Sequence, residues 1–129
     1  MPKYDCLRYE HISDIQEKPS FNWGGTNIRI YKGIVEGLHV TFLEPENGFF
    51  WVGCVYGRND DAHRFGFFCG AALEYLRHHS EGGEPDIVHC HDWPTAPVAF
   101  GDTGKARCAS YFHLVSQVPV ACRICVRHA

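Results

Sequence analysis

Pro85-Asp86-Ile87-Val88-His89-Cys90-His91-Asp92-Trp93-Pro94 carries the fold in outline. The apolar run Asp86–Cys90 is bounded by prolines and is too short for a helix, so it reads as a buried strand. It stops at His91-Asp92-Trp93-Pro94. Pro94 and Pro97 both suit a first helical turn, where backbone N–H groups have no partner, so a second helix is expected from about Thr95. Upstream, Phe65, Phe68, Ala72, Tyr75 and Leu76 recur at three- and four-residue spacing and predict a helix from about Asp61 to His79. Asn59 or Asp60 is placed to cap its start, and Ser80-Glu81-Gly82-Gly83 to end it. Strand, helix, strand, turn, helix is the rhythm of an α/β layered domain.

The N-terminal half reads differently. The first twenty residues are mixed and close on Lys18-Pro19-Ser20, a turn signal. Ile28 and Ile30, then Ile34 and Val35, are split by Lys32-Gly33, which suggests a hairpin or a bulged turn. Leu38 to Leu43 follow, so Asn27–Leu43 reads as two short paired strands bounded by Gly24-Gly25 and Gly37. The connection Glu46–Asn59 is rich in glycine and aromatic residues. Phe49, Phe50 and Trp51 in a row are costly to leave in water and are expected to pack under this loop.

Composition narrows the classes. At 129 residues the chain suits one modest domain. Its 45% apolar and 21% charged residues argue against wholesale disorder. A formal net charge of −3 leaves no basic excess for nucleic acid, and the sequence has no apolar run long enough for a membrane-spanning helix. No transit or secretory pattern opens the chain, so the expectation is a protein that stays where it is made or an internal piece of a longer one. The seven cysteines are odd in number and scattered, which reads as reduced, partly buried thiols rather than a disulfide framework.

The chemistry concentrates at the end of the Asp86–Cys90 strand. Ligands of open α/β sheets bind outside the carboxyl ends of strands. Two roles fit Asp92 there: a cap for the following helix, or a site carboxylate that orients a sugar hydroxyl or balances a developing positive charge. Strand alternation would turn His89, His91 and Trp93 one way and Cys90 and Asp92 the other. A metal reading competes, because His89, His91 and Asp92 have ligand-like spacing, but the sequence supplies no partner motif. Cys122-Arg123-Ile124-Cys125 with Cys108, His113 and His128 is half a zinc pattern at best. His78-His79 at a helix end reads as a solvated pair favoured by the helix dipole.

Several ordered blocks together resemble a known family. They are Trp23-Gly24-Gly25-Thr26, Val35-Glu36-Gly37-Leu38, Phe42-Leu43-Glu44-Pro45-Glu46-Asn47-Gly48-Phe49-Phe50-Trp51, Val55-Tyr56-Gly57-Arg58-Asn59-Asp60-Asp61-Ala62-His63-Arg64-Phe65-Gly66-Phe67-Phe68-Cys69, and Pro85 to Trp93. They are similar to the starch and glycogen synthases of glycosyltransferase family 5, most of all to its soluble class III branch. The resemblance runs from about Tyr4 to Phe100. It implies a partial Rossmann-like N-terminal domain of a GT-B glycosyltransferase over residues 1–100, with 101–129 as a tail that departs from the family, disordered or mistranslated. It further implies glucose transfer from ADP-glucose to the non-reducing end of an α-1,4-glucan, with retention, no required metal or other cofactor, and a plastid location.

On this resemblance Asp92 matches the family's active-site aspartate, Trp93 lines the glucan or sugar site, and Tyr56 sits in a loop at the cleft; His91 of the same His-Asp-Trp block joins them as a substrate contact. The family's Lys-x-Gly-Gly-Leu loop and nucleotide-binding domain do not occur in these 129 residues, so the chain by itself is expected to be inactive. Two further classes remain open: a non-catalytic glucan-binding polypeptide using Trp23, Trp51, Trp93 and Phe49-Phe50, and a small metal-binding protein using the histidines and tail cysteines.

Overall fold

A computed structural model describes residues 1–5, 10–82, 85 and 87–98, with the backbone of two further strands at 107–111 and 124–127. Met1–Arg58 and Asn59–Ala129 form two compact units.

The first unit is an antiparallel meander of β1 (Ile12–Trp23), β2 (Thr26–Val35) and β3 (Leu38–Pro45), in that spatial order. Both connections are two-residue turns. Gly24 and Gly25 have φ of 56° and 75°, and Glu36 and Gly37 have 49° and 81°. Positive φ at both central residues is the type I′ geometry, whose twist matches that of the flanking strands. The glycine boundaries expected at 24–25 and 37 are therefore observed, and the strands they bound pair as expected.

Two expectations need correction. Lys18-Pro19-Ser20 is not a turn. It lies inside β1, where Lys18 pairs with Ile30 but Phe21 pairs with Ile28. One extra residue on β1 makes a bulge there, and an edge strand tolerates a proline that has no N–H to donate. Nor does Lys32-Gly33 split β2, which runs through with Gly33 opposite Val40. The irregularity belongs to β1, between Ser13 and Gln16, where Asp14 has a φ of 52°. Gly33 faces that bulge so closely that a Cβ would come within 2.4 Å of Ile12 Cγ2. A strand glycine here marks close approach by a neighbour, not a chain reversal.

Phe21, Ile28, Ile30 and Leu43 share one face of the meander and are buried, Phe42 is buried on the opposite face, across from Tyr31, and Tyr4 and Phe50 are buried as well. The Tyr4 and Phe50 rings meet edge to face at 5.4 Å. Met1 to Lys3 run beside β3, with Leu43 N–H donating to the Met1 carbonyl at 2.9 Å and Lys3 N–H to the Leu43 carbonyl at 2.9 Å.

In the second unit α1 (Asp61–Glu74) continues as a π-helical turn, Tyr75–His79, so the helix predicted over 61–79 is present. Its predicted stripe is buried, together with Arg64, Cys69 and Ala71. Asp60 stands at the N-cap but its carboxylate makes no capping bond. Its φ of −97° and ψ of 10° depart from the extended backbone that aims a cap side chain at the first N–H groups. His78 and His79 are exposed at the far end, as read from the sequence. β4 (Ile87–His91) lies between β5 (Arg107–Tyr111), which is parallel to it, and β6 (Ile124–Arg127), which is antiparallel.

After β4 the chain turns, with Ala96 N–H donating to the Asp92 carbonyl at 3.1 Å and Val98 N–H to the Thr95 carbonyl at 3.1 Å. The rest of the helix expected from Thr95 lies outside the described residues, as do Gly83, His113, Cys122 and His128.

Candidate active site at the end of strand β4

β4 alternates as predicted for most of its length. Val88 and Cys90 are buried. His89 and His91 share the other face, their rings stacked with centroids 4.4 Å apart and planes 19° from parallel. The alternation stops at Asp92. Its φ is 60°, a left-handed conformation uncommon for any residue but glycine, asparagine and aspartate. The backbone therefore swings out of the strand, and Asp92 is exposed where continued alternation would have put it on the buried side with Cys90. Its carboxylate stays local: Oδ1 accepts the Trp93 N–H at 2.7 Å. This bond and the carbonyl bonds from Thr95 and Ala96 make Asp92 the start of the next turn. Both roles read for it are compatible with this geometry.

Three contacts hold the turn. Thr95 is fully buried and its hydroxyl donates to the His91 carbonyl at 2.7 Å. Cys69, on α1, donates its thiol hydrogen to the Pro94 carbonyl at 3.2 Å. Phe65, one turn earlier on α1, meets Trp93 edge to face at 5.5 Å and 84°. Trp93 remains 47% exposed, so one edge is anchored while ring surface stays open. Burial pushes the Cys69 thiol up to about 12, which makes it a neutral donor and not a nucleophile.

Reading the residues singly missed these supports. Their signals were present: Thr95 stands three residues after Asp92, the spacing of a local hydroxyl-to-backbone bond, and Phe65 and Cys69 are four apart on one helix face.

Tyr56 is half-buried in the 46–60 connection and belongs to the first unit. His91, Asp92 and Trp93 are brought together at one strand end, with His89 beside His91. Among the described residues, no three His, Cys, Asp or Glu side chains converge as a metal site requires. Cys108 lies in β5 and Cys125 in β6. Among the described cysteines Cys54 is an exposed thiol and Cys69 a buried one. No described helix is long and apolar enough to cross a membrane.

The loop aromatics divide. Phe50 is fully buried as expected, but Trp51 is 44% exposed. The expectation that all three pack under the loop is therefore corrected. The indole N–H of Trp51 reaches the carboxylate of Glu44 at 3.3 Å, which draws its ring to the rim of the meander and away from the core.

β4 thus ends in a left-handed, exposed Asp92 between His91 and the anchored indole of Trp93, beside α1. The chain belongs to the starch synthase catalytic domain family, which it matches over residues 1–116. Starch synthase 3 of Arabidopsis thaliana is 57% identical over 100 residues, covering 77% of this chain and 9% of the relative. Glycogen synthase 1 of Nitrosococcus oceani is 44% identical over 103 residues, covering 76% and 21%. Among solved structures, the catalytic domain of starch synthase IV from Arabidopsis thaliana, bound to ADP and acarbose, superposes with a TM-score of 0.73 at 40% identity. That match covers 84% of this chain and 25% of the other. The fold is accordingly part of a GT-B catalytic domain, its Rossmann-like N-terminal portion. The chain spans a quarter or less of each of these relatives.

Proposed function

We propose that this chain supplies the acceptor-side part of a starch synthase. Such an enzyme transfers glucose from ADP-glucose to the non-reducing end of an α-1,4-glucan with retention. The observation that carries the reading is Asp92, left-handed in backbone and exposed at the carboxyl end of β4, in a sequence of this family. An ionised carboxylate only accepts hydrogen bonds, so Asp92 can orient a sugar hydroxyl and stabilise positive charge developing at the transferred carbon. Trp93 offers an aromatic face to a pyranose, and His91 and Tyr56 offer polar contacts. The carry-over includes the family's expectation of no resident metal or other cofactor.

The plastid is the proposed location, since the starch synthase 3 relatives from Arabidopsis thaliana and Solanum tuberosum are described as chloroplastic/amyloplastic. We take 1–100 as the family portion of the chain and 101–129 as a segment whose sequence departs from the family pattern. Residues 1–129 alone are expected to release no ADP from ADP-glucose in the presence of glycogen, because transfer also needs groups that hold the donor diphosphate.

The test is a chimera in which residues 1–98 replace the matching segment of the Arabidopsis starch synthase IV catalytic domain. Asp92→Asn in that chimera should lower kcat by about 10²–10³-fold, the loss seen when a preorganised charge-stabilising group is removed. Folding should be spared, because asparagine tolerates the left-handed backbone. Retention of most of the activity by the variant would sink the assignment. The exposure of Trp51 and Trp93 also favours a second reading, a glucan-binding polypeptide without turnover; retention on amylopectin that does not depend on ADP-glucose is its signature.

A further inference from the structure

Glu44 closes β3 and is only 6% exposed. A carboxylate is costly to bury unless it is paired and hydrogen-bonded. Here Oε1 accepts the Lys3 ammonium at 2.9 Å and the Trp51 indole N–H at 3.3 Å. Burial pushes the Glu44 pKa up, but Lys3 and the hydrogen bonds from Tyr31 and Trp51 outweigh it and hold the carboxyl below its usual range. The group stays charged and fixed. Besides holding Lys3 and Tyr31, the buried ion sets the orientation of Trp51.

The local backbone does the same. Gly48 turns the chain with a φ of 80°, Asn47 Oδ1 accepts the Phe49 N–H at 3.1 Å, and Trp51 N–H donates to the Gly48 carbonyl at 3.2 Å. Phe50, the preceding residue, is locked in the core against Tyr4. Trp51 is thus tied by its backbone, by its neighbour and by its only polar atom, yet 44% of it faces water. Tryptophan is highly buried on average, and a pinned, open indole is a preorganised surface that loses little freedom on binding.

The occupant follows from what remains exposed. The N–H already has its acceptor, so the ligand must offer apolar C–H surface to the ring. The ring face is electron-rich and attracts C–H groups of slight positive charge. A pyranose has such C–H faces and a rim of hydroxyls that keeps it soluble. We infer that Trp51, oriented by Glu44, is a stacking platform for a glucose unit of an α-1,4-glucan. The choice of glucan rests on the functional reading above; the existence of a fixed platform does not.

The experiment is affinity electrophoresis of the 129-residue chain in native gels containing amylopectin, repeated with maltoheptaose as soluble competitor. Trp51→Ala should weaken retention about tenfold, equivalent to ~1.4 kcal/mol, and Trp51→Phe should lie between. Trp93→Ala is run alongside, and the gap between Trp51→Ala and the parent should reappear in that background. Circular dichroism checks that each variant is folded. Equal retention of Trp51→Ala and the parent chain overturns the platform, as does a parent chain that amylopectin does not retard or maltoheptaose does not release. Failure of the enzymatic reading is seen separately, as an active Asp92→Asn chimera.

Discussion

Removing the carboxylate of Asp61 should unsettle the second unit more than removing the arginine it binds. Arg64 is 0% exposed, whereas the Asp61 side chain is 15% exposed at the first turn of α1. Asp61 Oδ1 accepts both Arg64 Nε at 2.9 Å and a terminal guanidinium nitrogen at 2.7 Å. At an effective dielectric constant of about 20, opposite charges ~4 Å apart attract by about 4 kcal/mol. Asp61→Ala withdraws that partner from a guanidinium that water does not reach, at a cost of about 3–5 kcal/mol. Arg64→Met removes the buried charge itself. It leaves Asp61 near water and at a helix N-terminus, where the dipole favours an anion. What it loses is packing and the stacking of the guanidinium 4.6 Å from the Phe65 ring centroid, together about 1–2 kcal/mol. Urea unfolding followed at 222 nm measures both; with a slope of about 1–3 kcal/mol per molar, the two midpoints separate by about 1 M. The double variant should be little worse than Arg64→Met. If Arg64→Met is the more damaging substitution, the assignment of the cost to a buried charge deprived of the Asp61 carboxylate is wrong.

Other outcomes are expected. Because Cys69 ionises near 12 when folded and near 9 otherwise, the folded chain holds an extra proton between those values. Stability is then unaffected by this group below pH 9 and falls by about 1.4 kcal/mol per pH unit above it; pH-dependent melting should show the decline, and Cys69→Ala should flatten it. Iodoacetamide at pH 8 should label Cys54 and spare Cys69 until the chain is denatured. Gly37→Ala puts a side chain on a φ of 81° and should cost about 1–2 kcal/mol in thermal denaturation, with Gly37→Asn milder. Thr95→Val keeps the shape but takes the hydroxyl donor from the His91 carbonyl, a loss of about 1–2 kcal/mol that Thr95→Ser restores.

Much of this was legible in residue order. α1 declares itself because its apolar residues repeat at helical spacing and helix formation depends on neighbours in sequence. β4 was visible as a short apolar run between prolines. β1 was not, because its polar, proline-containing edge resembles a loop until β2 is there to pair with it. Gly33 was read as a break because a glycine's local freedom is visible in sequence, whereas the Ile12 side chain that requires it lies across the sheet. Asp92 was read as a candidate site residue, but its left-handed backbone was not foreseen, so alternation was carried one residue too far. Arg64 sits beside the apolar stripe and gave no sign of complete burial except an aspartate three residues earlier.

The two tight turns of the meander bear on the order of assembly. β1, β2 and β3 pair with one another only as sequence neighbours, so each of these pairings closes a minimal loop and little chain entropy is lost before contacts form. β4 must wait for partners at 107–111 and 124–127. During synthesis the first unit can therefore be complete while the strand that bears Asp92 still lacks both of its neighbours. A released fragment of residues 1–60 should already display a protease-resistant meander, and one of residues 1–100 should still expose β4 to cleavage.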